Sequence, residues 1–517
     1  MRTNPVSAAN SRGRLGLVLI AASIALIVLT GLLGPSVAEA ALPGRAVSPP
    51  FWFSANPPAW LVTVLPDLAL VLGAAGMALA WSALRRGWTP RLSGLIAGSW
   101  GAAGAMVLVP PMLSADHLVY AAYGRLVTAG GNPYTETAAT LAAHGDPIGL
   151  AVQPPWTNTS SVYGPLATAE QALASWIGGT SAHTTVFVLA FLGAAAFVAM
   201  GAMLRRIGDP VRVTVLFGLN PLLLLETVNA AHLDAFAVFF AVAGLYALHR
   251  RPDAFGAALA GALIGLGCAA KLSLGLAVLA GIWGLRHRWR SAGVFVLCAA
   301  SVGSLTYLPY GRVALRPARE GARMVSLGSA WRPLLAPLQR AVGDGTARDL
   351  ISVFGWLVLV LLVMLLAPLL RARKAGADAD SANAATPATQ SPSVRAAGSP
   401  GVQAAQALAL LGVAWVLAAP YTLPWYDIVA WAPLVVCAAG PLDLLLIART
   451  AVLAAAYVPG LDVPLPSGVA GWASWIRSDA APVFSIAALL ACAAIGIWRW
   501  RAPRVSAAVA LSQATKG

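Results

Sequence analysis

Charged residues are scarce in this sequence of 517 residues: Asp, Glu, Lys and Arg make up 10%, against roughly 25% in soluble domains. Hydrophobic residues make up 59%, so the chain is not a soluble globular protein. Glycine and proline are frequent but follow no repeat, and the chain is too hydrophobic for disorder, which excludes collagen-like and low-complexity proteins. The composition therefore predicts a polytopic membrane protein.

Cysteine is also rare. The four cysteines lie in hydrophobic stretches, at spacings that fit neither a disulfide framework nor a zinc site. The sequence contains no two-histidine metal motif, no Gly-x-Ser-x-Gly elbow and no dinucleotide-binding fingerprint. We therefore predict no metal site built from these side chains.

Long hydrophobic segments are abundant instead. A membrane-spanning helix needs about 20 mostly apolar residues, because lipid offers its backbone no hydrogen-bond partners. About 14 segments approach this length, which predicts an all-α polytopic fold with about 12–14 transmembrane helices. With the N-terminus inside, most basic residues, Arg449 among them, fall in alternate inner loops. The net charge of +15 is therefore a topology signal and gives no reason to expect nucleic-acid binding.

The chain divides into regions along this pattern. Three arginines precede the first apolar segment, and residues 38–40 resemble a signal-peptidase site, so this segment is either a retained anchor or a signal peptide. A later stretch rich in Ala, Ser, Thr, Pro and Gln is typical of a disordered cytoplasmic linker. The predicted regions are an N-terminal anchor or signal-like segment (1–41), a main transmembrane block (42–370) with a long outer loop (114–183), the linker (371–402) and a C-terminal transmembrane block (403–517).

The clearest candidate chemistry follows the third predicted span. Ser114 as N-cap and Asp116 in the first turn predict a helix at the outer surface, ended by residues 130–133. Asp116, Tyr120 and Tyr123 are spaced i, i+4, i+7 and share one face. A carboxylate beside aromatic rings suits a general base for a sugar hydroxyl. Alternatively, Asp116 only caps its helix and the tyrosines anchor the membrane interface.

Other candidate residues lie near the ends of later spans. His232 and Asp234 are close to the hydrocarbon, where ionisable groups usually face a cavity or a partner, although Asp234 also fits the cap of the sixth helix. Lys271 suits an anionic head group, or it extends toward the interface. Trp425 and Tyr426 fit either stacking on a sugar or anchoring at the interface.

Arginine is concentrated in the predicted outer stretch 310–348, where acidic residues are few. Guanidinium groups match phosphate geometry well, so this stretch predicts phosphate recognition. The alternative is a general affinity for anionic lipid or cell-wall polymer. The candidate phosphate ligands here are Arg312, Arg316, Arg319 and Arg323.

Several motifs between about residues 60 and 440 follow one another in a recognisable order: Ser114-Ala-Asp-His117, Asn132-Pro-Tyr134, Pro155-Trp-Thr157 with Tyr163-Gly-Pro165, Asn220-Pro-Leu222 with His232, Ala270-Lys271 and Leu423-Pro-Trp-Tyr426. In this order they resemble the actinobacterial polyprenol-phosphomannose-dependent α-1,6-mannosyltransferases of lipomannan synthesis, in the glycosyltransferase-C superfamily. The resemblance implies a glycosyltransferase-C-like fold with short helices at the outer surface.

The resemblance also implies a reaction. Mannose would pass with inversion from polyprenyl-phosphate-mannose, a co-substrate, to an α-mannan or lipoglycan acceptor at the outer face of the plasma membrane. Asp116 maps to the general base, and Lys271 with the four arginines to the donor phosphate. The resemblance implies no tightly bound cofactor, leaves a divalent metal undecided, and implies membrane lipids rather than nucleic acid as surroundings. The implied substrate-contacting residues are His117, Tyr120, Tyr123, Asn132, Tyr134, Tyr163, His232, Asp234, Trp425 and Tyr426.

Two departures from the superfamily pattern keep alternatives open. Asp116 is followed by His117 where many members have paired acids, and Leu233-Asp234 follows His232 in place of an amide and an acid. A transporter or flippase of an anionic lipid-linked glycan would also need charges at membrane depth. A catalytically inactive scaffold for envelope assembly is a third possibility. The carboxylate over an outer cavity is required by an enzyme and unnecessary to a carrier.

Overall fold

The computed structural model describes residues 5–43, 48–315, 319, 321, 323–370 and 398–514, with side chains described between residues 8 and 501 of these ranges. Most of the described residues are helical and none lies in a strand, so the predicted all-α class is confirmed. The α-helices are α1 (Pro5–Leu32), α2 (Leu61–Leu84), α3 (Leu92–Val107), α4 (Asp116–Thr128), α5 (Ala138–Ala143), α6 (Pro147–Ala151), α7 (Pro165–Gly178), α8 (Ala182–Ile207), α9 (Pro210–Val213), α10 (Pro221–Leu223), α11 (Asp234–Arg250), α12 (Ala254–Ala270), α13 (Gly275–Gly284), α14 (Trp289–Tyr307), α15 (Arg332–Val342), α16 (Asp344–Leu366), α17 (Pro400–Ala418), α18 (Ile428–Leu434), α19 (Pro441–Ala455), α20 (Ser467–Trp475) and α21 (Ala481–Ala514).

Within the described ranges, 7 helices are long and apolar enough to cross a membrane, and the protein is a multi-pass membrane protein. They contain α1, α2, α8, α14, α16, α17 and the continuous rod of α20 and α21. The other predicted spans fall on shorter helices, among them α3, α11, α12 and α13. These short helices pack against the long ones. For example, α11 packs against α8 and α12, and α12 also packs against α14.

One predicted span is broken in its middle. α9 continues into a π-helical turn over residues 214–218, α10 into a second one over 224–229, and the two halves meet at 43°. The break falls at Asn220, because Pro221 has no backbone N–H and the Asn220 Oδ1 accepts the N–H groups of Leu222 and Leu223 at 3.1 and 3.3 Å. At the far end, the Asn229 Nδ2 donates to two carbonyls at the end of α3, both at 3.2 Å. This contact fixes where the following loop emerges.

The predicted helix at residue 116 is confirmed as α4. It is largely buried within the protein, because α7 and α8 pack against it and cover most of its side chains. Gly124 allows the close approach, since a Cβ there would lie 2.0 Å from the Gln171 carbonyl oxygen. Ser114 is not the N-cap as predicted: Ala115 holds that position, and the Ser114 Oγ accepts the Asp116 N–H at 3.1 Å.

The segment after α1 is part of the folded core. α1 packs along α2, and the Ala38 carbonyl accepts the Leu113 N–H at 2.8 Å, while the Leu461 N–H donates to the Val37 carbonyl at 3.2 Å. The stretch that resembles a signal-peptidase site is therefore buried directly beneath the loop that carries Asp116. The two alternatives for residues 1–41, a retained anchor or a removed signal peptide, stay predictions.

The predicted linker is described only at its end. Residues 371–397 lie outside the described residues. The last residues of the predicted linker are helical, because α17 begins at Pro400 with the Ser399 Oγ accepting the Val402 N–H at 3.3 Å. The C-terminal helical block thus begins a few residues before the predicted boundary at 403.

The predicted inner-loop position of Arg449 is wrong. Arg449 lies in the middle of α19 with 2% of its side chain exposed, and it forms an ion pair with the fully buried Asp427. Its Nη2 also donates to the Val416 carbonyl and to the Thr422 Oγ1, both at 2.7 Å. A guanidinium can be buried here because these acceptors satisfy its charge and its N–H groups.

Candidate active site

Residues from five distant stretches meet at one end of the helix bundle. These stretches are the first turns of α4, the loop before α7, the start of α11 with the loop before it, the end of α12 and the 3₁₀ turn Pro424–Asp427. We call the resulting group the Asp116 cluster, defined as Asp116, Tyr120, Tyr163, His232, Asp234, Lys271, Trp425 and Tyr426.

The carboxylate of Asp116 lies at the centre of this cluster. Its Oδ2 accepts the Tyr120 hydroxyl at 3.4 Å, and the Tyr163 hydroxyl lies 3.1 Å from that of Tyr120. Because Tyr120 gives its one proton to Asp116, Tyr163 donates to Tyr120. Only 17% of the Asp116 side chain is exposed, and burial raises its pKa from 3.8 to about 6. The carboxylate is therefore a stronger base than an exposed aspartate and is still ionised at neutral pH.

His232 is the neutral neighbour of this carboxylate. Its Nδ1 lies 2.5 Å from the Glu226 carbonyl, which can only accept, so Nδ1 carries the proton and Nε2 is an acceptor. Nε2 lies 3.2 Å from the Ser114 Oγ, which donates to it, and 3.7 Å from the Asp116 Oδ2. Burial lowers the pKa of His232 to about 3, so the ring is uncharged and offers Asp116 no ion pair.

Lys271 supplies the positive charge of the cluster. Its Nζ forms an ion pair with the Asp234 Oδ1 at 2.6 Å and lies 3.4 Å from the centre of the Tyr426 ring. An ammonium has three N–H donors, so these contacts leave donor capacity for a ligand. Asp234 is the first residue of α11 and Leu233 holds the N-cap position, so Asp234 faces a partner, Lys271, and the alternative that it caps the helix is wrong.

Aromatic rings form one wall of the cluster. Trp425 stacks on the His232 ring with centroids 3.7 Å apart and planes 14° from parallel. Tyr163 meets Tyr120 edge to face at 5.3 Å. Flat apolar faces next to hydroxyl and carboxylate groups are the surface that a sugar ring contacts well.

Two loops that enter the cluster are held in an unfavourable backbone conformation. Leu113, just before Ser114, has φ of 63°, and Ala231, just before His232, has φ of 54°. Residues with a side chain rarely adopt this left-handed region, and such positions concentrate at functional sites. The surrounding contacts, including the Leu113 hydrogen bond to Ala38, hold the first of them in place.

Four residues implied to contact substrate lie elsewhere. His117 is fully buried within α4, and burial lowers its pKa to about 3, so it carries no charge. The Tyr123 hydroxyl donates to the Thr159 carbonyl at 3.0 Å. Asn132 accepts the Tyr134 N–H at 3.0 Å, and the Tyr134 hydroxyl lies 2.9 Å from a threonine hydroxyl of α7. These side chains shape the loop around α4 and are not members of the Asp116 cluster.

The candidate phosphate ligands are also separated by the structure. Arg316 lies outside the described residues, and Arg312 and Arg319 are exposed on the segment after α14. Arg323 is exposed and ion-paired with Asp349, its Nε lying 2.8 Å from the Asp349 Oδ1. Of the described candidates, Lys271 alone belongs to the Asp116 cluster.

Residues 17–319 match the family described as alpha-(1->6)-mannopyranosyltransferase, N-terminal domain. The chain belongs to this family. It is also 25% identical over 182 residues to Alpha-(1->6)-mannopyranosyltransferase A of Corynebacterium glutamicum, a stretch that covers 34% of this chain and 36% of the relative. The chain thus spans about a third of the length of the curated relative it matches. No solved structure matches.

The family match includes most, but not all, of the cluster. Asp116, His232 and Lys271 lie within residues 17–319, whereas Trp425 and Tyr426 come from the C-terminal block beyond it. The Asp116 cluster of this mannopyranosyltransferase-family chain therefore contains residues from both blocks.

Sequence reasoning missed some members of the aromatic wall. Tyr457 meets Trp425 edge to face at 5.5 Å, and Tyr421 meets Tyr426 at 6.3 Å. A compositional signal was present, because the chain has only 10 tyrosines and all except Tyr246 lie near predicted outer ends of spans or in outer loops. Tyrosine clustering at one end of a hydrophobic bundle thus pointed to this site.

Proposed function

We propose that the protein is an inverting mannosyltransferase that moves mannose from polyprenyl-phosphate-mannose to an α-mannan or lipoglycan acceptor. The linkage formed is α-1,6, and the reaction takes place at the outer face of the plasma membrane. Membership of the mannopyranosyltransferase family supports the sugar and the linkage. The observation that carries the mechanism is the partly buried Asp116 carboxylate, placed between hydroxyl groups, a neutral histidine and the Lys271 ammonium.

Asp116 acts as the general base. Its carboxylate takes the proton of the acceptor hydroxyl as that oxygen attacks the anomeric carbon of the donor mannose. The bond between the anomeric carbon and the phosphate oxygen breaks on the opposite face, so the configuration inverts and the lipid phosphate leaves with the bonding electrons. The hydrogen bond from Tyr120 orients the Asp116 carboxylate while leaving Oδ1 for the acceptor.

Lys271 stabilises the leaving phosphate. Negative charge grows on the phosphate oxygens as the bond breaks, and a fixed ammonium in a water-poor site lowers the energy of that charge. Asp234 and the Tyr426 ring hold Nζ in position. Trp425 offers a flat face to the sugar, and the exposed Arg312 and Arg319 attract the anionic donor toward this end of the protein.

The reaction is tested in membranes that contain the protein, with radiolabelled polyprenyl-phosphate-mannose and a short α-mannoside acceptor. We expect label in the acceptor, released by an α-1,6-specific mannosidase and absent from membranes without the protein. Label that crosses the membrane with the lipid but never enters the acceptor would identify a flippase and overturn the proposal. Label that enters the acceptor but is not released by the mannosidase would support mannosyl transfer and overturn the proposed α-1,6 linkage.

A further inference from the structure

A cleft lies at the end of the molecule opposite the Asp116 cluster. It has a volume of about 520 Å³, within the range of small-molecule sites, and contains no residue of the cluster. α8 shows the separation: its first residues pack beside α4, whereas its last residue, Ile207, lines the cleft. A helix of 26 residues is about 39 Å long at 1.5 Å per residue, close to the thickness of a membrane.

The cleft is built around a buried arginine. Arg212 is 6% exposed, and it donates from Nε to the Val435 carbonyl at 3.2 Å and from Nη2 to the Asp443 Oδ1 at 2.5 Å. Its Nη1 has no hydrogen-bond partner among the described residues, although Arg212 lines the cleft. An unsatisfied guanidinium N–H at a buried position is costly unless a ligand accepts from it.

The walls of the cleft and the residues next to them differ in character. The walls are mainly apolar, with Leu84, Val211, Val402 and Val436 among them. Basic residues adjoin the cleft along the chain, because Arg85 and Arg86 stand between the lining residues Leu84 and Gly87, and an arginine pair directly precedes the lining residue Ile207. An apolar cleft with adjoining basic residues and a buried guanidinium matches an amphiphile with an anionic head.

Asp209 indicates which kind of anionic head group the cleft can bind. It also lines the cleft, and its Oδ1 accepts the Arg212 N–H at 2.7 Å. A phosphate monoester would place up to two negative charges near this carboxylate, whereas a phosphodiester places one, and a head-group hydroxyl could donate to Asp209. We propose that this cleft binds the phosphodiester head group of an anionic membrane phospholipid on the face opposite the Asp116 cluster.

The test uses the purified full-length protein in detergent and follows its thermal unfolding. Short-chain phosphatidylglycerol should raise Tm by about 2–4 °C when saturating, because a ligand that binds the folded state stabilises it. Phosphatidylcholine of the same chain length and inorganic phosphate should leave Tm unchanged. An equal shift with phosphatidylcholine, or with phosphate alone, would overturn the proposal of an anionic lipid site.

A matched pair of variants locates the binding. Ala439→Trp places a large ring at the cleft wall, leaves Arg212 and Asp443 themselves unchanged and should abolish the shift. Ala300→Trp makes the same exchange on the exposed surface of α14 and should keep it. Retention of the full shift in Ala439→Trp would place the lipid elsewhere and overturn the proposal. Because Arg212→Gln removes partners of Asp443 and could unfold the chain, the conclusion rests on the tryptophan pair.

Discussion

Asp116 lies beside a histidine that carries no charge, so burial and the Tyr120 hydrogen bond govern its affinity for protons. Burial is the larger effect, because removing water destabilises the ionised form more than one hydrogen bond stabilises it. The pKa of the Asp116 carboxylate therefore lies closer to neutral pH than that of an exposed aspartate, as general-base catalysis favours.

The pH dependence of the reaction follows from this shift. A base acts only when it is unprotonated, and the pKa of Asp116 is raised to about 6, so transfer should be full above that pH. Below it, kcat/KM should fall about tenfold per pH unit. A pH–rate profile measures this limb, which should be absent from the residual activity of Asp116→Asn. A limb near pH 4, typical of an exposed aspartate, would contradict the placement of Asp116 as the buried base.

Replacing Lys271 tests the charge opposite the base. Lys271→Met should lower kcat by about 10²–10³-fold, because it removes the fixed positive charge that stabilises the leaving phosphate. Lys271→Arg restores the positive charge and should recover part of the lost kcat. If Lys271 only held Asp234 in place, this recovery would not be required. The measurement is kcat and KM separately; a change confined to KM would contradict a role in the transition state.

The sequence predicted individual residues unevenly. Asp116, His232, Lys271 and Trp425 were all predicted, because charged or polar groups next to long apolar segments are unusual enough to stand out. The ion pair between Asp234 and Lys271 was not, since it joins positions 37 apart through the packing of α11 on α12. Asn132 was predicted to contact substrate but instead accepts a backbone N–H in a turn, because turn residues and substrate ligands cannot be told apart in the sequence.

At the scale of elements, the loop before α4 depends on a neighbouring loop. Gly460 has φ of 106°, and a Cβ there would lie 2.4 Å from the Leu113 Cα. Only glycine fits this contact, and it places the C-terminal block directly against the loop that carries Asp116.

Gly460→Ala should therefore displace the loop of Asp116. We expect a loss of about 1–3 kcal/mol in stability from the strained backbone, and a transfer rate lowered about 10–100-fold by misplacement of the base. Thermal unfolding and the transfer assay measure the two effects. Gly468→Ala is the control, because a Cβ there meets nothing within 4 Å. Equal activity in both variants would show that the contact does not position Asp116.

Helix positions were more predictable than helix roles. Apolar length placed α1, α2 and α8, and the acidic first turn with glycine-rich termination placed α4, although the predicted cap residue was wrong. Its burial was not predictable, because α4 carries Asp, His, Arg and two Tyr residues, which are typical of a surface helix until α7 and α8 cover them. The break at Asn220 was visible as Asn-Pro, but the 43° bend depends on tertiary packing.

At the scale of the whole molecule, buried ion pairs join helices that are distant in sequence. Arg449 of α19 pairs with Asp427 at the turn that carries Trp425 and Tyr426. The Arg449 guanidinium also reaches the end of α17, so α17, α19 and the turn Pro424–Asp427 meet at this pair. The positive-inside rule misplaced Arg449 because the rule counts charge in loops and does not detect a buried partner.

The pair should behave as a single unit in unfolding. Arg449→Met or Asp427→Asn alone should each cost about 3–5 kcal/mol, because the remaining partner is left buried without compensation. The double variant should be less destabilised than the sum of the two. A double-mutant cycle by thermal unfolding measures the coupling, with Arg323→Met and Asp349→Asn as the exposed pair that should show little. Additive losses at Arg449 and Asp427 would contradict the pairing.

The central claim is that Asp116 is the base of a mannosyl transfer, and its direct measurement is the transfer rate of Asp116→Asn. The exchange keeps size and polarity and removes the basic oxygen, so we expect kcat lower by about 10²–10⁴-fold with KM for the donor little changed. Asp253→Asn, which keeps a helix cap at an exposed position, should retain wild-type activity at matched expression. If Asp116→Asn transfers mannose as fast as the wild type, Asp116 is not the base and the account of the site is wrong.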